Sequence, residues 1–495
     1  MNQCAAHIVI FFIIIKSEMA VFTANLLNYI YKHAVGPFIQ VIAMDRKITA
    51  ILAVVLVVII AAAAAIALTG GDKGEDMPVV EKGPYNLNDI TLPLSTRLVV
   101  CGNADNNDVI DENDLKMIQD IVDGKAVWDK EKYPLADAYP DGTIDQKDID
   151  LMKNILAKKT CWVYYVDFKN QTVRVQYPIT GTIGTMYYQQ AQLASMFGLW
   201  NDRVIACGSG SLSDISSPGW ESRISYGKGY NVDPQTVVSS GVKTILCYTQ
   251  TDTTAPAMKE MVANTGIDLN VLCVNHEQLL RCVCTYGFLF DLEDISQKYL
   301  KLADECSTSI FDSMKNVATK DQPSVALVML YGTATTDKIR VLGYNEAGNK
   351  HNLATLFNGI PNVNWDRADL EKPAYGTYVT SEWFLDKDPD YIVLVGSSMG
   401  LSDSMTTSQI QEAYRAKCEE VFGKTSAYKN GNIICASNGV MNGYSNPLCS
   451  MKLLSYVYEQ IDDTLADKAY NTWYADYTCF TTDQKPSEKF YRVGA

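Results

Sequence analysis

The sequence predicts an α/β protein: two Rossmann-like lobes joined by one long helix, preceded by a small all-α calcium-loop module and an N-terminal transmembrane helix. Three observations predict it. Strand and helix signals alternate over 161–290 and again over 319–464, the pattern of parallel βαβ units. Between them, Leu292, Ile295, Tyr299, Leu302, Cys306, Ile310, Met314 and Val317 recur at steps of three or four, which is one face of a helix. Ahead of both lobes, two acidic loops stand in tandem over 93–160, each running into an amphipathic stretch.

In chain order, residues 1–43 carry an apolar run over 8–15 that is too short to span a membrane. Met44 is a natural start for such a chain, so 1–43 reads as a start-site extension. Residues 48–68 are apolar except for Thr49 and match the roughly 20 residues that cross a bilayer. Arg46 and Lys47 precede this run and acids follow it, so the positive-inside rule places the rest of the chain outside. The expectation is a single-pass anchor over 44–68 in the cell membrane, with the bulk of the chain extracellular. The length of the run favours a retained anchor over a cleaved signal. The Gly-, Pro- and acid-rich stretch 69–92 reads as a linker.

Asn103, Asp105, Asn107, Asp111 and Asp114 then fall at positions 1, 3, 5, 9 and 12 of a calcium loop, with the Val109 carbonyl at position 7. Asp137, Asp141, Asp145 and Asp148 fall at positions 1, 5, 9 and 12 of a second, with Gly142 at 6 and the Thr143 carbonyl at 7. Calcium takes six to eight hard oxygens, and this spacing wraps them round one ion. Ile110 and Ile144, at position 8, are expected to face a shared core. Over 95–159 the pair resembles a dockerin module, whose loops end in Asp rather than the Glu of an EF-hand. The resemblance implies Ca2+ as cofactor and a cohesin-bearing protein as partner. Two departures stand out. Asp108 occupies position 6 of the first loop, where Gly usually makes the sharp turn. Tyr139 occupies position 3 of the second, which is therefore expected to bind more weakly.

A hairpin is expected over 162–168 and 172–177. A Gly- and Thr-rich loop, 178–185, leads into a helix over 187–200. Strands at 203–207, 243–248 and 269–274, with helices after Asp233-Pro234 and at 255–264, complete the first lobe. Residues 208–218 and the segment holding Trp220, Tyr226 and Tyr230 read as loops. The joining helix is expected over 291–317, about 40 Å at 1.5 Å per residue. Asp291, Glu293 and Asp294 suit the positive end of its dipole. The second lobe should contain strands at 324–330, 339–342, 391–395 and 432–436, and helices at 352–357, 380–385, 409–422 and 448–461. The tail from 465 is polar and aromatic and carries no functional reading.

Several functions are disfavoured. A formal charge of −15 leaves no basic face for nucleic acid. Gly396-Ser397-Ser398-Met399-Gly400 has the G-x-S-x-G form of a hydrolase elbow, but the histidine of that triad comes after the motif and the last one here is His351. The motif therefore reads as a glycine-rich turn. The loop at 181–184 lacks a Walker lysine and a dinucleotide fingerprint. Cys273, His276, Cys282 and Cys284 lie close together without the spacing of a structural zinc site. Burial in the core is the simpler reading for such cysteines. No enzymatic activity is expected.

Over about 162–462 the order of elements resembles the cobalamin- and siderophore-type periplasmic substrate-binding proteins of ABC importers. Asp202-Arg203-Val204-Ile205 resembles that family's D-R-V-V-G strand. Asp388-Pro389-Asp390-Tyr391-Ile392-Val393 resembles its NPDVIIV strand, and Tyr428-Lys429-Asn430-Gly431-Asn432-Ile433 its AVKNGRVY segment. The resemblance implies a receptor that hands a metal chelate (corrinoid, haem or iron–siderophore) to an ABC permease, with lobes that move little about a stiff helix. It also implies one permease-docking acid per lobe, here Asp233 and Glu382. Ligand contacts are expected on loops that follow strands: Thr182, Trp220, Tyr248, Tyr331 and Tyr444. Those loops are aromatic and nearly free of basic residues, which favours a flat apolar macrocycle over a highly charged siderophore. The rival reading is a surface assembly or adhesion protein that uses dockerin–cohesin pairing and transports nothing.

Overall fold

The computed structural model describes residues 92, 95–209, 219–228, 231–247, 258–260, 269–274, 278–329, 336, 338–341, 377–396, 407–437, 443–479 and 490–493. The expected anchor, the linker except Leu92, Tyr248, Tyr331, the helix at 352–357 and most of that at 255–264 lie outside them. The chain divides into compact units 1–82 and 83–495, and all that follows concerns the second. Among the described residues no helix is long and apolar enough to cross a membrane.

The unit begins with two loop-and-helix repeats. Helix α1 (Glu112–Val122) starts at Asp111 and α2 (Gln146–Leu156) at Asp145, and both starts are capping boxes closed by Asp114 and Asp148. Each box satisfies helix N–H groups that have no partner inside the helix. Ile118, Ile149, Met152 and Ile155 are buried where the two helices meet, and Ile110 and Ile144 pack on the same core. The hairpin of β1 (Cys161–Val166) and β2 (Thr172–Tyr177) follows in antiparallel register.

The first sheet has the order β6-β5-β4-β3-β7-β8. It contains β3 (Ile183–Thr185), β4 (Val204–Ser209), β5 (Ile224–Lys228), β6 (Asn231–Val232), β7 (Thr244–Leu246) and β8 (Asn270–Leu272). All pairs are parallel except β5 with β6. The chain runs outward from β3 to β5 and then returns across it to β7. That reversal makes the β3–β7 boundary the topological switch point, outside whose carboxyl ends such sheets bind ligands. Helices α3 (Tyr188–Met196), α4 (Pro234–Ser239) and α5 (Leu279–Leu289) belong to this lobe.

Helix α6 (Glu293–Met314) joins the lobes, with Tyr299, Leu302, Cys306, Ile310 and Met314 buried as the periodicity predicts. It is shorter than expected. Asp291 has φ 57°, a left-handed turn that ends α5 and sets the start of α6 at Glu293. The 22 residues span about 33 Å.

The second sheet has the order β11-β10-β9-β12-β13-β14. It contains β9 (Val325–Met329), β10 (Ile339–Val341), β11 (Thr377–Val379), β12 (Tyr391–Gly396), β13 (Ile433–Ser437) and β14 (Phe490–Val493). The central β9, β12 and β13 are parallel, while β10, β11 and β14 pair antiparallel on the flanks. Around it stand α7 (Ser381–Lys387), α8 (Thr407–Phe422), α9 (Ser426–Lys429), α10 (Asn446–Val457) and α11 (Asp463–Asp476). The described part of the region expected to be a tail is thus structured: α11 buries Trp473 and Tyr474, and β14 completes the sheet. One continuous apolar core runs from Val99 and Ile118 in the loop module through Tyr165 and Tyr286 to Tyr299, Leu448 and Trp473.

Candidate functional site

The two acidic loops are built alike. In the first, Asp114 Oδ1 accepts from the backbone N–H of Ala104 (2.6 Å) and Asp105 (3.2 Å), and its Oδ2 from Asp111 N (2.8 Å). In the second, Asp148 Oδ1 accepts from Tyr139 N and Oδ2 from Asp145 N, both at 2.8 Å. The position-12 carboxylate therefore ties each loop across itself. Asp105 and Asn107 accept N–H groups two residues on, from Asn107 (3.0 Å) and Val109 (2.7 Å). Asp137 accepts from Asp141 N (3.3 Å) and Gly142 N (2.7 Å), and Asp141 from the Thr143 hydroxyl (2.6 Å). The turns differ. Gly142 supplies the left-handed residue of the second loop at position 6 (φ 85°), whereas the first loop makes its turn at Asn106 (φ 63°), which frees position 6 for Asp108.

Burial pushes the Asp114 carboxyl up to about 6 and the Asp137 carboxyl up to about 7, and raises Asp148 as well. A dication among such groups reverses that shift by favouring their charged forms. Asn103 is fully buried. Its Nδ2 donates to Leu98 O (2.7 Å) and Asn107 O (2.8 Å), while its Oδ1, the position-1 oxygen, has no donor among the described residues. A buried carbonyl oxygen without a partner is costly, and a hard cation would satisfy it. The donor set of the first loop therefore fits calcium. The second loop carries an internal cation: Lys147 Nζ lies 2.6 Å from Asp141 Oδ2 and 3.7 Å from Asp145 Oδ2. Among the described residues no three carboxylate, thiol or imidazole side chains converge as a metal cluster, so amide and carbonyl oxygens must complete any coordination here.

The carboxyl edge of the first sheet shows what composition hid. Thr182 precedes β3 and stands at the opposite edge, its hydroxyl donating to Gly241 O at 2.9 Å. Its expected place at the carboxyl ends of the strands is thus corrected, because 183–185 is itself the strand. The residue at the switch point is Thr185, buried with no partner for its Oγ1 among the described residues. The first turn of α3 adds Gln189 and Gln190, also buried and with unpartnered Oε1 atoms. Their signal in the sequence was polar residues on a helix that directly follows a strand, overshadowed by the aromatic residues nearby.

Tyr444 is not a cleft aromatic. It is buried in the turn Gly443–Ser445, where its N–H donates to Gln192 Oε1 (3.1 Å) and its carbonyl accepts from Tyr299 Oη (2.6 Å). One turn thus ties together α3 of the first lobe, the joining helix and the second lobe. Gly443 is required there: its φ is 80°, and a Cβ would fall 2.2 Å from Gln192 Oε1. Trp220 is half-buried in a short 3-10 turn, packed against the main core.

Both expected docking acids stand at helix starts on the surface. Asp233 caps α4, accepting from Gln235 N (3.3 Å) and Thr236 N (3.1 Å). Glu382 is exposed in the first turn of α7, which Thr380 caps. None of the twelve described cysteines forms a disulfide and eleven of them are buried, in keeping with a packing role for Cys273, Cys282 and Cys284.

Two mixed α/β sheets with parallel centres, joined by a single long helix, define the two-lobed fold of TroA-like periplasmic binding proteins. A TroA-like periplasmic binding protein, FepB from Veillonella parvula, superposes with a TM-score of 0.53 at 16% identity, covering 67% of this chain and 99% of that one. A periplasmic solute binding protein from Veillonella parvula superposes at 0.50 and 13% identity, covering 65% and 94%. No protein-family model and no curated protein matches the sequence.

Proposed function

We propose that this chain is a membrane-anchored extracellular solute receptor that delivers a metal chelate to an ABC importer. The single observation that carries the reading is the two-lobed fold with one joining helix, shared with solved periplasmic binding proteins. A helix hinge that is also pinned by Tyr444 suits a receptor whose lobes move little. Asp233 and Glu382, one on each lobe, are the proposed contacts to permease arginines. Residues 44–68 are the proposed anchor. The ligand class is a corrinoid- or haem-like macrocycle, bound outside the carboxyl ends of β3 and β7, where Thr185, Gln189 and Gln190 offer uncharged hydrogen-bonding groups.

Calcium is the proposed cofactor of the loop module, held in the first loop by Asn103, Asp105, Asn107, Val109, Asp111 and Asp114. The second loop (Asp137, Asp141, Thr143, Asp145, Asp148) is the weaker site, since Lys147 already neutralises two of its acids. The continuous core between module and lobe supports an integral part of the receptor over a free tether for a cohesin-bearing partner. Native mass spectrometry of the protein purified from its own cells tests the reading. A retained mass matching a metal macrocycle is expected; a retained ligand of another class, such as a peptide or oligosaccharide, would overturn it.

A further inference from the structure

We propose that the calcium ion of the first loop braces the helix that joins the lobes, so that calcium sets the rigidity of the receptor's hinge. This rests on the calcium reading above. The observation behind it is the double use of one dipeptide. The Asp108 carbonyl faces the receptor body, accepting from Gln297 Nε2 of α6 (2.8 Å) and Cys284 Sγ of α5 (3.3 Å). The next carbonyl, Val109 O, falls at position 7 of the loop, where a carbonyl would face the ion.

The Asp108 side chain extends the link. Arg97 Nε donates to Asp108 Oδ1 at 2.9 Å, while Arg97 Nη1 reaches both oxygens of Asp304 on α6, at 2.7 and 2.8 Å. A bidentate guanidinium–carboxylate pair fixes direction as well as distance. The segment entering the loop is held to α5 in the same way. Thr285 Oγ1 donates to Arg97 O (3.1 Å), and Arg281 Nε donates to Thr96 O (3.0 Å). The first loop is therefore clamped to α5 and α6 on one side. The loop also holds the buried Asn103 Oδ1, without a donor among the described residues, and carries Asp105, Asp111 and Asp114 at positions 3, 9 and 12. With a dication in place these oxygens are drawn together and the 108–109 peptide is fixed from both sides. Without it, like charges oppose closure of the loop, and Asp108 loses its fixed support. Asp108 thus has a use at the position where such loops ordinarily carry Gly.

The test uses the full-length protein, with calcium uptake read by calorimetry and amide exchange over 293–314 read by mass spectrometry, in calcium and in chelator. Calcium should slow exchange in α6 by about tenfold or more. Arg97→Met should keep calcium affinity within about threefold yet lose most of that slowing. Asp304→Ala, at a half-exposed position, should do the same and serves if the first variant folds poorly. Calcium uptake with unchanged exchange in α6, or full calcium-dependent slowing in a folded variant, would overturn the brace while leaving the calcium site standing. No calcium uptake at all overturns both.

Discussion

The Tyr299 hydroxyl is the residue-scale contact on which the lobe arrangement turns. It is buried and donates to the carbonyl of Tyr444. Tyr299→Phe keeps the ring and removes the donor, leaving a buried carbonyl short of a partner, so it should cost about 1–3 kcal/mol in urea unfolding. An unchanged midpoint would mean the contact contributes nothing. Lys147 makes a second prediction. Its ammonium lies on the acids of the second loop, so Lys147→Met should tighten the weaker calcium site and leave the stronger one as it was. Calorimetry of both proteins reads this, and identical isotherms would show that the lysine simply swings aside. At the surface, reversing Asp233 and Glu382 to Lys should abolish uptake by cells while ligand affinity persists. Normal uptake in the double variant would reduce both to helix-start acids, a role their exposed positions at the first turns already explain.

At the scale of elements, the joining helix was the most legible because one stripe of apolar residues faces the core and the rest, Phe311 apart, is mostly polar. Met314 closes that stripe and is fully buried. Met314→Ala should cost about 2–5 kcal/mol; loss of much less in a denaturant titration would mean that the end of the helix is only loosely packed. Helix α5 escaped notice for the opposite reason. Eight of its eleven residues are buried, so it shows no polar face and no period. Strand β3 was hidden by Gly184 and flanking threonines, which read as a turn. The glycine is there because a Cβ would fall 2.5 Å from the Tyr226 hydroxyl. That one misreading moved Thr182 to the wrong edge of the sheet and left Thr185, part of the same expected loop, without being singled out. Strand β14 was unread because its partner, β13, is distant in sequence. The loop-and-helix pair was legible because its capping acids and the apolar positions of its helices are local in sequence. Its attachment through Arg97 and Asp304 was not, because the two lie 207 residues apart.

For the whole molecule, topology and ligand carry the account. Arg46 and Lys47 ahead of the apolar run predict that protease added to intact cells reaches everything after residue 68. Protection until lysis would place the lobes inside and end the importer reading. The central claim is that the space between the lobes holds a metal macrocycle. The loops expected to line it are aromatic and nearly free of Arg and Lys, and the groups found at the switch point are uncharged. Titrating the purified protein with cobalamin, haem and a ferric catecholate, followed by tryptophan fluorescence, tests this most directly. The account predicts saturable binding of a macrocycle at micromolar concentration or below, about −8 kcal/mol or better, and weak or no binding of the charged siderophore. Tight binding of the ferric catecholate alone, or of none of the three, would contradict it.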